Sequence, residues 1–591
     1  MTSKELEKVL LSEVSLNNIL ESVNVFSNLH RYSGTPQAEK AVDYLESKLN
    51  EYGVNYECCK YTGLFSIPIS STLTVQGPGG KTYDALGCVL SGECENLTAP
   101  IYYDALSLEK NQASFLLQIP ALHIALRQQE ERYKAFKGKI VLSWEGRASF
   151  AAVAKKAGAL AMIHIWKDDN NLLHHSNIGP VWGTPTPGDC DTLTYLPAVT
   201  FRQKDAKEII SLCEKGEVSA TLSVKMDTGL RESRMPIASI PGKSEKFVLL
   251  AGHYDSWYEG ITDNAAADAI MLEIARVIHK YQEELGRSIR IAWWSGHSDG
   301  RFAGSTWYCD QFYENLKKHC VAYINMDICG CKNTGKIIAR TTLMEGMDFT
   351  ADIIEDMTGI RPNKYVTMVK GADQSFWGIN VPIAIMAKNE PLPGNETLYG
   401  KFTNPGGGPW WHSVEDTIDK LDTDAVLRDY TFNTRVIASV LNAETLPVDI
   451  PGFLDEMKKQ LKEISDSSDH NDFCLDPVFD KITSLKPLGQ KIRTMPKDLS
   501  DELIKETAGK LVRVTYSMVD EYHFEPALSS AFAGSKSTFT GLRIGMNRNR
   551  ENTKPQSYLF AQTEFIRQRN RLKDVLSQVE YIMKKYIEEE S

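Results

Sequence analysis

The sequence predicts an α/β protein built on a mixed, mostly parallel sheet, with a β-rich domain inserted into it and a helical domain at its C-terminal end. Three observations predict this. From Lys246 onward, short apolar runs alternate with amphipathic helical segments, the pattern of a parallel sheet covered on both faces. Between about residues 62 and 228 the texture changes to short strands punctuated by Gly, Pro and Asn. After Pro447 the strand signals stop and helical periodicity takes over.

The expected division is residues 1–61 as the first part of the α/β domain, 62–234 as the insert, 235–450 as the rest of the α/β domain, and 451–591 as the helical domain. Leu16 to Glu51 reads as two helices around the turn His30-Arg-Tyr-Ser-Gly-Thr-Pro36, because Ala38, Ala41, Val42, Leu45 and Leu49 recur at helical spacing. Inside the insert, Gly138–Ser143 and Leu160–Ile165 read as strands flanking a small-residue helix, Phe150–Ala159. In the α/β domain the expected strands are Phe247–Leu250, Ile289–Trp294, Val321–Met326 and Pro382–Met386, with an amphipathic helix from Ala266 to His279. The tail reads as a long helix from about Gln562 to Glu588, after a break between Glu525 and Gly545.

The chain has 591 residues, 42% hydrophobic and 24% charged, enough for several packed domains and unlike a disordered chain. Its formal charge of −11 argues against a general nucleic-acid binder, which needs a basic face. No stretch approaches the roughly 18 apolar residues of a membrane span. The first residues are charged, with no apolar signal-peptide core behind them. The 11 cysteines are scattered and odd in number, which suits a reducing compartment. The expectation is a cytoplasmic protein without nucleic-acid or membrane partners.

Acid and imidazole groups gather at the carboxyl ends of the expected strands, where open α/β sheets bind ligands. Gly252-His-Tyr-Asp-Ser-Trp257 and Gly260-Ile-Thr-Asp-Asn264 follow the first strand. Ser295-Gly-His-Ser-Asp-Gly-Arg301 follows the second, Asp327 the third, and Trp410-Trp-His-Ser-Val-Glu-Asp416 lies far downstream. His and Asp so placed suit a zinc site, in which a carboxylate can bridge two ions. Asp263 alone is also a natural helix N-cap, and Asp416 reads as an ordinary helix-start residue.

These motifs resemble the co-catalytic zinc exopeptidases, most closely the glutamate carboxypeptidase II and transferrin-receptor branch. The sheet is then of the zinc-exopeptidase (phosphorylase/hydrolase-like) type. Phe136-Lys-Gly-Lys-Ile-Val-Leu and Ala157-Gly-Ala-Leu-Ala-Met-Ile163 resemble the protease-associated insert of that branch. The resemblance implies that His253 and Asp327 bind one zinc, Asp263 bridges, and His412 binds the other. It makes Asp255 the acceptor of the far N–H of His253. The family places two adjacent glutamates after the second strand, a base and a ligand, where this chain has Gly296-His-Ser-Asp-Gly300. The reading adopted is His297 as base and Asp299 as ligand; His297 on a metal, or a single-ion site, stays open. Trp411 stands where relatives often have Tyr, and offers only an indole N–H.

The implied activity is metal-dependent hydrolysis of a peptide or amide bond in a short peptide or a small N-acyl or amide substrate, of aminopeptidase or carboxypeptidase type. The ions are one or two zincs, with manganese or cobalt also suited to N/O ligands. Trp257, Arg301, Trp411 and the loop from Glu390 to Trp410 are candidate substrate contacts. A non-catalytic receptor-like binding protein and a cyclase reusing the metal site are the competing readings. The resemblance also implies a homodimer through residues 451–591, with Phe565, Leu572, Val575, Leu576, Val579, Ile582 and Met583 forming an apolar stripe on the tail helix.

Overall fold

The computed structural model describes residues 1–77, 80–109, 130–362, 366–368, 371–376, 379–392, 407–492, 495, 497–524 and 538–589. Most of the expected substrate loop and most of the expected break before Gly545 lie outside them.

Strand β1 (Tyr56–Val75) leads away from the α/β domain, and β2 (Thr82–Asp84), β3 (Leu86–Gly87), β4 (Cys94–Tyr103), β5 (Ile140–Ser143), β6 (Ala161–Ile165) and β7 (Ala198–Phe201) follow it in a second lobe. Strand β8 (Ser219–Ile240) brings the chain back. The α/β domain then adds β9 (Phe247–His253), β10 (Ser288–Trp294), β11 (Cys320–Asn325), β12 (Thr334–Thr341), β13 (Val366–Thr367) and β14 (Ile383–Pro391). The strand order is β13-β12-β14-β11-β9-β10-β8-β4-β5-β6-β7-β3. Pairs β9–β10, β9–β11 and β11–β14 are parallel, whereas β12–β14 and β8–β10 are antiparallel, so the sheet is mixed and parallel at its centre. Every residue of β9 is buried, as a parallel strand covered on both faces requires.

The long strands β1 and β8 pair antiparallel from Tyr56↔Ala238 to Val75↔Ala220, with one irregularity between Pro68 and Ser70. One end of β8 also pairs with β10 and the other with β4. This ribbon therefore belongs to both lobes. The second lobe has apolar clusters of its own, one around Leu142, Ile163 and Leu222 and one around Phe136, Phe150 and Met162.

The N-terminal helices belong to the α/β core. Leu6, Ile19, Phe26, Val42 and Leu45 share one cluster with Val248, Leu250, Ile270 and Ile324. The helix Pro36–Tyr52 starts where Thr35 accepts the Ala38 N–H and Pro36 supplies a preset φ, and it ends at Gly53 in the left-handed conformation. Arg31 locks this segment to the end of β9. Its guanidinium, wholly buried, donates to the carbonyls of Tyr254 at 2.7 Å, Glu259 at 2.8 Å, Phe26 at 3.0 Å and Gly260 at 3.2 Å.

Past residue 450 the described elements of three turns or more are helices: Ile450–Asp466, Asp476–Ile492, Lys497–Tyr516 and Pro555–Glu589. The last begins earlier than the spacing predicts. Its apolar stripe is used inside the subunit: Phe565, Leu572, Leu576, Val579, Ile582 and Met583 are buried in the main core and Val575 is half-buried against it. That stripe is therefore not available to a second copy.

Arg31→Ala leaves several buried carbonyls without a donor. It is expected to lower the unfolding free energy by roughly 3–5 kcal/mol. Urea unfolding followed by tryptophan fluorescence measures this, and a loss below about 1 kcal/mol contradicts the clamp.

Candidate metal centre

Each strand of the parallel centre ends in a loop that carries one part of the site. His253 is the last residue of β9, and Asp263 lies in the turn before the helix Ala266–Lys280. His253 Nε2 is 3.1 Å from Asp263 Oδ1 and 3.4 Å from Asp327 Oδ1. All three atoms are buried and none has a hydrogen-bond partner. Two donors about 2.0–2.1 Å from a tetrahedral zinc stand about 3.3 Å apart. Orphaned imidazole and carboxylate atoms at this spacing fit a zinc ion. The electrostatics agree. Burial works against charge on His253, yet the carboxylates of Asp263 and Asp327 outweigh it and raise its pKa well above the usual range. Burial likewise pushes Asp263 up, and the His253 and His412 imidazoles outweigh that and hold it well below. The carboxylates thus call for positive charge between them.

The other oxygen of Asp263, Oδ2, faces His412 Nε2 at 3.4 Å. Burial lowers the His412 pKa, against the pull of Asp263. Its ring is fixed by Nδ1, 3.2 Å from the His175 carbonyl, and by the edge contact with Trp257 at 4.4 Å.

Asp255 does not orient His253 with its carboxylate. His253 Nδ1 meets the Asp255 backbone carbonyl at 2.9 Å, and the carboxylate stands 3.9 Å away. Asp255 instead accepts the backbone N–H groups of His297 at 3.3 Å and Ser298 at 3.1 Å, pinning the loop after β10.

In that loop the structure separates the two expected residues. Asp299 is turned away from His253: its Oδ2 accepts the Ser33 N–H at 3.0 Å and its Oδ1 the Trp257 indole N–H at 2.8 Å. Burial, with the Asp255 charge behind it, pushes Asp299 up to about 7. Both its oxygens are occupied, which disagrees with the expected ligand role. Arg301 and Phe302, at φ 51° and 68°, turn the chain through the left-handed region before the helix Ala303–Gln311. His297 turns inward. Its ring lies against His253, centroids 3.8 Å apart and planes within 14°. A nitrogen of His297, one of His253 and an oxygen of Asp327 lie within 4.8 Å of one another. Nearly parallel rings send their in-plane lone pairs side by side, so both cannot aim at one ion. His297 therefore lies stacked on His253, with its ring beside that of the ligand and not converging with it.

Asp373, absent from the sequence motifs, and Asp416, expected as an ordinary helix-start residue, complete the arrangement. Asp373, almost wholly buried, meets His297 Nδ1 at 2.6 Å through Oδ2 and accepts the Ser305 hydroxyl at 2.6 Å through Oδ1. Asp416 is no helix cap; Asp422 caps the helix Thr423–Leu441. Asp416 Oδ1 accepts the N–H and hydroxyl of Thr262 at 3.0 and 2.8 Å, and Oδ2 the N–H of Asp263 at 3.1 Å. Burial pushes it up to about 7. A helical pattern in sequence could not show that this carboxylate reaches back across the chain to the turn carrying Asp263.

The second lobe roofs the site. His175 N–H donates to the His412 carbonyl at 2.8 Å, and Asn177 to the Ser298 carbonyl at 3.0 Å. Trp182 donates to Ser375 at 3.0 Å, and the Gly183 N–H to Arg301 at 2.6 Å. Of the expected substrate contacts, Trp257 is buried against His175 and Asp299. Arg301 is buried, not on the surface, and burial together with the Arg147 charge brings its guanidinium down to about 9. Trp411 keeps a buried indole N–H without a partner. Residues 393–406 of the expected loop lie outside the described residues.

The centre of the sheet is parallel, and imidazole and carboxylate donors suited to a metal ion gather at its carboxyl edge. Residues 237–434 match the family model described as Peptidase family M28. Among its relatives, Leucine aminopeptidase 2 of Trichophyton equinum is 28% identical over 319 residues, 51% of this chain and 61% of that protein. The chain thus spans about three fifths of that relative's length. Among solved structures, a Peptidase M28 precursor from Shewanella amazonensis has a TM-score of 0.56 at 19% identity, covering 75% of this chain and 97% of that one. BSAP, a zinc aminopeptidase from Bacillus subtilis, has a TM-score of 0.51 at 18% identity, covering 72% and 96%. These two likenesses show the shared fold.

Asp416→Ala frees the turn that carries Asp263 and is expected to weaken metal affinity by roughly 10–100-fold. Asp299→Asn is expected to leave metal affinity unchanged while destabilising the chain by about 1–3 kcal/mol, because an amide cannot accept from both Ser33 and Trp257. Chelator competition and thermal unfolding of both variants read the two effects separately.

Proposed function

We propose that this protein is a metal-dependent hydrolase of the exopeptidase type that cleaves the peptide or amide bond of a short peptide or a small N-acyl or amide substrate. The observation that carries this reading is the buried meeting of His253 Nε2, Asp263 Oδ1 and Asp327 Oδ1, without hydrogen-bond partners, beside the His297–Asp373 pair. The family match and the aminopeptidase names of relatives support it, and aminopeptidase action is the first to assay.

A zinc ion held by His253, Asp263 and Asp327 supplies a polarised substrate carbonyl and a water of lowered pKa. The protein does the rest. Asp373 takes the Nδ1–H of His297, which leaves the Nε2 lone pair free to accept the proton of the attacking water. Asp373 also offsets the charge of the imidazolium that forms, and Ser305 holds Asp373 in place. His297 then delivers that proton to the leaving nitrogen. The buried Trp411 indole N–H is a donor beside His412 for the substrate oxygen. The roof from Asn170 to Gly183 covers this space and favours short substrates over folded proteins.

A cytoplasmic location and a homodimer through residues 451–591 belong to the same proposal. With the tail stripe buried, exposed apolar side chains such as Leu559 and Tyr581 are what a second copy would cover on the tail helix.

On a panel of dipeptides and aminoacyl amides with zinc supplied, His297→Ala and Asp373→Asn are each expected to lower kcat by roughly 10²–10⁴-fold with metal content intact. Activity at the level of the unsubstituted chain in both variants contradicts the proton-transfer roles. No hydrolysis by the unsubstituted chain of any member of the panel contradicts the function itself.

A further inference from the structure

We propose that the centre holds one tightly bound ion, on His253, Asp263 and Asp327, and that His412 anchors Asp263 instead of serving a second ion. The inference deepens the hydrolase reading and rests on it for the identity of the ion.

The two oxygens of Asp263 look into unequal surroundings. On the Oδ1 side, Asp263 Oδ1 and Asp327 Oδ1 stand 3.1 and 3.4 Å from His253 Nε2, and all three atoms are buried without a hydrogen-bond partner. That supplies three protein donors and leaves one position open, the usual make-up of a reactive zinc site. On the Oδ2 side there is His412 Nε2 at 3.4 Å. At this centre the described donors whose atoms all lie within 4.8 Å of one another are His253, His297 and Asp327, a group that includes neither Asp263 nor His412. The one carboxylate of the loop after β10, between Ser295 and Phe302, is Asp299. Ser298 is tied by its N–H to Asp255, and Asp299 is committed to Ser33 and Trp257. Two donors hold zinc far more weakly than three.

His412 is nevertheless built in. It sits at φ 64°, exchanges backbone and ring contacts with His175, and is packed by Trp257 and Trp411. With Asp416 gripping the backbone of Thr262 and Asp263, His412 sets the carboxylate plane of Asp263 from the opposite side. Held in this way, Oδ1 faces His253.

The test is metal stoichiometry. Apo-protein is titrated with Zn²⁺ under chelator competition, and Co²⁺-loaded protein is examined by EPR. One ion per chain is expected, with a second equivalent bound at least about 100-fold more weakly and a cobalt signal of an isolated ion. His412→Ala is expected to retain the tight ion, and Asp327→Asn to lose it. Two ions bound with equal affinity by the unsubstituted chain, or a coupled cobalt pair, overturns the proposal even if the variants fail to fold. A one-ion protein without hydrolytic activity removes the proposed function and leaves this assignment standing; an active two-ion protein does the reverse.

Discussion

Buried carboxylate charge governs the centre of this molecule. Asp255, Asp268, Asp299, Asp327, Asp373 and Asp416 are all buried near the carboxyl edge of the parallel strands, and Asp263 is nearly so. Carboxylates in such a place must be protonated, hydrogen-bonded, paired or bound to a cation. The molecule uses several of these solutions at once. Asp255, Asp299 and Asp416 take backbone or indole N–H donors, and Asp373 takes an imidazole and a hydroxyl. Burial drives Asp268 well above the ordinary carboxylate range, against the pull of the Arg31 charge. Asp263 Oδ1 and Asp327 Oδ1 are left without hydrogen bonds, and a cation is the remaining answer for them.

The same charge explains Arg31. A fully buried guanidinium is costly by itself, and burial lowers its pKa. The charges of Asp268, Asp255, Asp416 and Asp263 offset that, while its N–H groups satisfy carbonyls in the loop after β9. One arginine from the first 61 residues thereby compensates the acids and fixes the loop that must place His253 and Asp263 together. The amino-terminal helices are thus part of the site's foundation, which is why the sheet core runs through both flanking segments without a break.

Much of this was legible in the sequence, to the extent that a strand end determines position. His253, Asp327 and the loop of His297 follow apolar runs that do form parallel strands, so their clustering at one edge follows from the sheet alone. Side-chain direction does not follow from it. Asp299 has the right chemistry for a ligand, but in the folded loop its two oxygens accept from Ser33 and Trp257. Asp373 and Asp416 come from segments distant in sequence, and only the packed chain brings them to His297 and Asp263. The tail stripe shows a related limit. Periodicity revealed an apolar face but not its partner, which proves to be the rest of the subunit.

The ribbon of β1 and β8 ties the roof to the floor. Because each strand runs unbroken from one lobe into the other, the second lobe is held along two covalent strands and their shared ladder instead of a single hinge. Four further bonds, from His175, Asn177, Trp182 and Gly183, join the roof to the loops bearing His412, Ser298, Ser375 and Arg301. Moving the roof therefore disturbs the loops that set His297 and His412. Burial of His253, Asp299, Asp327 and Asp373 beneath these contacts lowers the local dielectric and strengthens each electrostatic contact among them.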